Sequence, residues 1–313
     1  MDVSGTVLVT GGFGYLGGRI ARHLAASGRN VRVATRRPRE RWPDWAGEVE
    51  VVGTDPVPAC RGAGAVVHLA AMNEIDCAAD PAGALAANGV DSVRLLQAAL
   101  AAGVPRFLYF STARVYGEPL VGRIDEGLCP RPNHPYGISH RVFEDYLLAE
   151  HAKGRVAAAC LRLSNGLGAP ADALIDRWTL VANDLCRQIA ASGRMVLKSS
   201  GLALRDFIPL GEVARAVEFL LAAAELGDGV FNLGAGHSTL IRDLADLIGD
   251  RAEAVLGTRP LLERPQPAPG EQPAPLDYRV DRLAALGFRA SPDLAPEIDR
   301  TLLLCRSAFG GRP

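Results

Sequence analysis

The six cysteines, Cys60, Cys77, Cys129, Cys160, Cys186 and Cys305, include no C-x-x-C pair and no spacing that brings thiols and histidines together as zinc ligands. They are expected to be small hydrophobes in a reducing compartment, with no metal site. An excess of either charge is also missing, since 34 Lys+Arg against 35 Asp+Glu leave a formal net charge of −1. A protein that tracks phosphates along nucleic acid needs a basic field, so nucleic acid is excluded as the expected partner. Alanine-rich stretches are broken by Asp, Arg or Gly well short of the roughly 20 residues of a membrane span. Met1 runs within a few residues into VLVTGGFGYLGG, without a basic, apolar and cleavable leader, so a cytoplasmic protein without membrane association is expected.

What is present is ordinary globular material: 48% hydrophobic residues, Gly 34 and Pro 21. At about 150 residues per domain, the length of 313 predicts two domains, or one with an elaborated end. The first half alternates short β-branched runs with Ala/Leu helical patterns, the rhythm of an α/β, doubly wound parallel sheet covered on both faces. Strands are predicted at Thr6 to Thr10, Asn30 to Thr35, Val49 to Gly53, Ala65 to Leu69, Phe107 to Ser111 and Val156 to Leu163. Helices are predicted at Tyr15 to Ser27, Asn88 to Ala102 and Tyr136 to Lys153, with Gly28 and Gly103 at C-cap positions. Beyond Ser164 the rhythm loosens into helices from Ile175 to Ala191, near Glu212 to Ala224 and near Leu240 to Ile248, and a short run Val230 to Leu233. Six prolines between Arg259 and Pro275 predict an ordered extended loop or lid.

In TGGFGYLGG, Gly11, Gly14 and Gly17 stand at a strand-to-helix turn. Glycine there admits positive φ and lets backbone N–H groups and a helix N-terminus approach a pyrophosphate. A second strand some 20 residues on completes the context of a dinucleotide site. That strand ends in Thr35, Arg36 and Arg37, where an NAD site usually offers a carboxylate to the ribose. Two guanidinium groups suit a 2′-phosphate, which favours NADP, with NAD as second choice; the alternative is a pair of solvated loop charges ahead of PRER. Asp55 is a candidate acceptor for the adenine amino group, or a turn residue before Pro56.

With HLAA at His68 to Ala71, Asn88 at a helix start, FSTARVYG from Phe110, YGISH from Tyr136, LRLSNGLG from Leu161, RDFIPLGEVARAV from Arg205, FNLGAG from Phe231 and LGF at Leu286, the chain resembles the extended short-chain dehydrogenase/reductase family. These are NAD(P)-dependent nucleotide-sugar epimerases, dehydratases and keto-reductases. The resemblance implies a Rossmann sheet with a smaller, interleaved substrate-binding portion. The dinucleotide-binding domain would hold residues 1–163 and 206–233, and the substrate-binding domain residues 164–205 and 234–313. It implies that Gly11, Phe13, Gly14, Tyr15, Leu16, Gly17, Leu69, Ala70 and Ala71 line the cofactor, with Leu163 reaching the nicotinamide through its backbone unless it is an ordinary core leucine. His68 reads as a structural strand-end histidine. His134, His151 and His237 have no paired ligands nearby.

The family's Ser/Thr, Tyr and Lys map onto Thr112, Tyr136 and position 140. Ser111, like Tyr136, is an expected cofactor contact, and it is the hydroxyl if the register slips by one. The phenol exchanges the proton as a sugar hydroxyl becomes a carbonyl or the reverse. The departure is that Y-x-x-x-K is here Tyr136-Gly-Ile-Ser-His140. The i and i+4 side chains share a helix face, so His140 points where the lysine would and its nitrogens can meet the nicotinamide ribose. At its reference pKa of about 6.5 it would be charged in about a quarter of molecules at pH 7. Three readings stand: a working substitute with a shifted pH optimum, chemistry that does not use Tyr136 as base, and an inactive binding protein.

The 4,6-dehydratases of the family carry Asp-Glu after the Thr; here Ala113 and Arg114 follow, which argues against dehydration and leaves 4-epimerisation, ketone reduction or alcohol oxidation. For the substrate's diphosphate and sugar the resemblance points to Thr112, Arg114, Asn165 and Arg205, with Arg264 in the Pro-rich loop; the alternatives are an Asn165 that caps the turn at Gly166 and surface roles for Arg205 and Arg264. A nucleotide-sugar is therefore the expected partner, and a homodimer through helices Asn88 to Ala102 and Tyr136 to Lys153 is implied. The competing readings are a reductase of a non-sugar carbonyl, such as a steroid or phenolic aldehyde, and a non-catalytic NADP-binding sensor or scaffold.

Overall fold

Seven runs of aliphatic residues set the architecture: β1 (Thr6–Thr10), β2 (Val31–Ala34), β3 (Glu50–Val52), β4 (Ala63–His68), β5 (Arg106–Thr112), β6 (Ala157–Leu163) and β7 (Val230–Leu233). The structure, a computed structural model, describes residues 5–310; residues 1–4 and 311–313, which the expected domain limits include, lie outside it. All neighbouring strands are parallel, in the order β7-β6-β5-β4-β1-β2-β3. Val7, Leu8 and Val9 are all fully buried, because a crossover helix covers each face of a parallel sheet.

The main helices are α1 (Tyr15–Ala26), α2 (Asp91–Ala101), α3 (Pro135–Ala152), α4 (Val181–Ser192), α5 (Leu210–Ala222), α6 (Ile241–Leu256) and α7 (Ala295–Phe309). Successive strand side chains point to opposite faces. Val7 and Val9 therefore join Ile20 and Leu24 of α1 and Val213 and Val217 of α5 on one side. Leu8 joins Leu96 of α2 and Phe143 and Leu147 of α3 on the other. Strand order reverses between β1 and β4, so the carboxyl ends of these two strands open the crevice where doubly wound sheets bind ligands.

A second core gathers α4, α6 and α7 around Leu185, Ile189, Leu244, Ile248, Ile298 and Leu302. Asn165–Leu167, Leu204–Pro209 and Ser238–Leu240 form a three-stranded sheet beside it. Three helix boundaries differ from expectation, and one of these is that the helix expected near Leu240 to Ile248 runs on to Leu256. The helix expected from Ile175 starts at Val181, because Ile175 is drawn into a pocket with Tyr15 and Leu210 and the chain stays irregular until Leu180. The helix expected at Asn88 begins earlier, with Pro81–Ala84, and passes through a π-helical turn, Leu85–Val90, into α2. Helix α7, with Pro296 in its first turn, was not foreseen, although proline there is a start signal. The Pro-rich segment is extended and ordered: Leu261–Glu263 pairs with Arg194–Val196, and Arg264 donates to the Ser200 carbonyl at 3.0 Å.

Candidate active site

The glycine turn is shaped by close approach. Gly11 has φ +67°, and a Cβ on it would lie 3.0 Å from the Ala70 amide nitrogen. A Cβ on Gly17 would lie 2.2 Å from the Gly11 carbonyl oxygen, so only glycine lets α1 start this close to β1. Gly14, the N-cap, supplies no side-chain cap, which leaves first-turn N–H groups of α1 for an anion. Phe13 turns its ring away, edge-on to Trp45 with centroids 5.2 Å apart, so it can offer a ligand only backbone. Tyr15 likewise faces inward, donating to the Gly168 carbonyl at 2.8 Å, and Leu16 is partly buried beside it. Leu69 and Ala70 both donate their amides to the Thr10 hydroxyl, which ties the β4 exit to the β1 exit; Ala71 follows, exposed.

At the end of β2, Arg36 is exposed and Arg37 half-buried, and neither has an ion pair among the described residues. Asp55 caps the short helix Pro56–Cys60, accepting from the Val57 amide at 3.1 Å. That is the turn role foreseen as its alternative.

Across the cleft, Thr112 ends β5 in register with Leu163 of β6. The Thr112 oxygen accepts from the Arg114 amide at 3.2 Å, which starts the turn Ala113–Tyr116. A Cβ on Gly137 would lie 2.6 Å from the Arg114 carbonyl oxygen, so this glycine lets the first turn of α3, with Tyr136, press against that turn. Tyr136 is half-buried with its phenol enclosed. Its pKa is pushed up to about 12, first by burial and then by the Glu74 carboxylate, against the pull of Arg177 and Arg114.

His140 does share the face of Tyr136, with ring centroids 4.5 Å apart, but it is no cation. Burial pushes its pKa down to about 4, against the opposing pull of Glu144. The expectation that a quarter of molecules are charged at pH 7 is thereby corrected: that figure belongs to a solvated ring, and this one is 2% exposed. Its Nδ1 lies 2.6 Å from the Tyr109 hydroxyl, while its Nε2 is buried without a protein partner, as is the Ser111 hydroxyl. Two buried polar atoms without protein partners, one near the carboxyl end of β5 and one on α3, fit a bound dinucleotide, which would satisfy groups the protein leaves open.

The model of the NAD dependent epimerase/dehydratase family matches residues 7–234. The chain belongs to that family. It is 32% identical to a UDP-glucose 4-epimerase of Rhizobium leguminosarum bv. trifolii over 267 residues, 78% of this chain and 81% of the relative. The Thermus thermophilus UDP-glucose 4-epimerase, solved with NAD, matches with a TM-score of 0.76 and 26% identity, covering 97% of this chain and 99% of its own. A UDP-N-acetylglucosamine 4-epimerase from Methanobrevibacter ruminantium M1 shares the fold at TM-score 0.82 and 22% identity, over 98% of this chain and 100% of its own. Membership makes the protein an NAD-dependent type of enzyme, with a nicotinamide dinucleotide as cofactor.

In this epimerase/dehydratase family member the remaining expected residues fall into two groups. Arg205 is exposed without an ion pair among the described residues, and Asn165, on the adjacent strand, donates to the Asp206 carbonyl at 2.8 Å. Arg114 and Arg264 are already engaged, the first with Glu118 at 2.7 Å and Glu74 at 3.9 Å, the second with Ser200. His68 is buried, its Nδ1 on the Thr10 hydroxyl at 2.6 Å and its Nε2 on Ser92 at 2.9 Å. No group of three or more His, Cys, Asp or Glu that could hold a metal occurs among the described residues.

Three features were not foreseen. Tyr109 is hidden in an apolar strand run and offers no sequence signal of its own. Asn88 accepts from the Met72 amide at 2.7 Å and donates to Ser139 at 2.9 Å, which in turn donates to the Tyr136 carbonyl. Its π-helical turn thus braces the turn that carries Tyr136. Glu144 and Arg162 form a bidentate pair at 2.8 and 3.0 Å, the arginine also donating to the Tyr116 hydroxyl at 2.9 Å. An arginine within the strand AAACLRL was the available hint.

Proposed function

We propose that this protein binds NADP(H) and reduces the keto group of a nucleotide-activated sugar, with Tyr136 giving its proton to the carbonyl oxygen and Thr112 holding that oxygen. The observation that carries this reading is a phenol packed 4.5 Å, centroid to centroid, from a buried imidazole, where burial favours the neutral form of both rings. Such an acid is suited to protonating the alkoxide formed by reduction, which is a far stronger base than a phenolate. It is ill suited to taking a proton from a sugar hydroxyl, the step that opens an epimerisation. When bound, the nicotinamide ring supplies the hydride. Gly11, Gly14 and Gly17 would hold the pyrophosphate, Arg36 and Arg37 a 2′-phosphate, and His140 and Ser111 the inner end of the dinucleotide.

Asn165 and Arg205 would meet the substrate's diphosphate, in a cleft between residues 1–163 with 206–233 and residues 164–205 with 234–313. A homodimer fits the same reading: Leu85, Val90, Ile138 and Tyr146 are each at least 41% exposed on the helices leading into α2 and along α3. Among the described residues no helix is long and apolar enough to cross a membrane.

The second reading is 4-epimerisation with a retained NAD, favoured by the activity named for the relatives. Releasing the cofactor from purified protein, identifying it by mass and assaying the protein on both reactions separates the two. NADP or an exchangeable site, with NADPH-dependent reduction of a nucleotide-4-ketosugar, is the expected result. Stoichiometric NAD with interconversion of UDP-glucose and UDP-galactose would overturn it.

A further inference from the structure

Tyr109 decides what His140 can do. It lies on β5, enclosed, with its ring between the imidazoles of His68 and His140 at centroid distances of 5.6 and 5.7 Å, both inclined by 26°. Phe143 meets it edge-on at 4.6 Å. Burial raises its pKa well above the ordinary value, so the hydroxyl keeps its proton. His68 is no acceptor for that proton, since both its nitrogens are engaged by Thr10 and Ser92. The acceptor found for it among the described residues is Nδ1 of His140, 2.6 Å away.

A neutral imidazole that accepts at Nδ1 carries its own proton on Nε2. The opposite arrangement, Nδ1–H donating to the phenol oxygen, would leave two buried groups unsatisfied, the phenolic proton and a bare Nε2. The pairing in which the phenol donates to Nδ1 leaves one, the Nε2–H. The charges nearby do not alter this: Glu144, one turn along α3, is held by Arg162 and Arg141, and Tyr136 stays protonated.

We propose that Tyr109 is a positioning residue that locks His140 in the neutral tautomer protonated at Nε2, and that this N–H is the donor the chain presents to the bound dinucleotide. The second half rests on the cleft being a dinucleotide site; the first half does not.

The test is NMR of the protein with 15N-labelled histidines at pH 7, with His140→Gln assigning the resonance, alongside NADPH titrations followed by fluorescence. The expected spectrum shows Nε2 protonated and Nδ1 bare, and NADPH shifts the Nε2 proton. Tyr109→Phe should yield mixed tautomers and NADPH binding about five-fold weaker, the loss expected for one misplaced hydrogen bond. It should add no further weakening in the His140→Gln background. A ring protonated at Nδ1 or at both nitrogens, or an Nε2 proton unmoved by saturating NADPH, overturns the proposal. If the native protein binds neither NADPH nor NADH, the reading of the cleft fails, and the tautomer alone decides the part of Tyr109.

Discussion

The ring of His140 meets that of Tyr136 edge-on, 4.5 Å between centroids, and brings no charge to it at neutral pH. The family pattern places an ammonium at this position, and the consequence of its absence can be sized. A unit charge about 5 Å from the phenol at an effective dielectric near 20 stabilises the phenolate by roughly 3 kcal/mol, or about two pKa units. His140→Lys should therefore lower the pH at which alcohol oxidation reaches half its maximum by about two units and raise turnover at neutral pH. A pH–rate profile checks this. A profile that does not move, or lost turnover in a folded variant, would show that a charge at position 140 does not govern the phenol.

The arginines at the end of β2 bear on the choice of cofactor. Neither Arg36 nor Arg37 is ion-paired among the described residues, so both guanidiniums are available to a phosphate. A charge-assisted hydrogen bond contributes about 1.5–3 kcal/mol, so replacing either arginine by alanine should weaken NADPH binding by roughly ten- to a hundred-fold, and replacing both by more. NADH binding should change little, because NADH lacks the 2′-phosphate. Titration of both cofactors against both proteins reads this directly, and equal losses for the two would mean that the arginines do not see a 2′-phosphate.

What was legible in the sequence was what local residues decide. Thr6–Thr10 and Val230–Leu233 form strands where their β-branched runs place them, and Gly11 and Gly17 are required by steric contacts within a few residues or one strand away. What was not legible depends on distant partners. The reference pKa of His140 assumes water, whereas its state is set by burial on the inner face of α3 and by Tyr109, 31 residues earlier. The start of α4 moved because Tyr15 and Leu210 capture Ile175. Glu144 and Arg162 look like unrelated charges until β6 and α3 bring them together.

The two buried histidines also make stability depend on pH. His68 is pushed down to about 3 and His140 to about 4, in both cases first by burial. Their folded pKa values lie below the unfolded value of about 6.5, so the unfolded chain binds more protons and stability falls as pH drops below that value. The loss ends once pH passes the folded values. Asp206, whose pKa burial raises, acts in the opposite sense, its cost easing as pH falls. Between pH 7 and pH 5 each histidine should remove about 2 kcal/mol of unfolding free energy. Urea unfolding across this interval should show the decline, and His140→Gln should remove about half of it. A flat response would mean that the rings are hydrated in solution.

The Glu144–Arg162 pair holds the back of the site, and its energetics follow from burial. The arginine side chain is 2% exposed and the carboxylate 0%, and Arg162 links α3 through Tyr116 to Asn232 of β7. Removing one partner strands a charge where water cannot reach it, so Glu144→Gln should cost about 3–5 kcal/mol in denaturant unfolding. Glu144→Leu combined with Arg162→Met removes both charges and should recover more than half of that loss, since neither ion then needs compensation. If the double variant is as unstable as the single one, the charges are not what Glu144→Gln disturbs. The hydrogen bonds to Tyr116 would then carry the stability, and Tyr116→Phe alone should reproduce the loss.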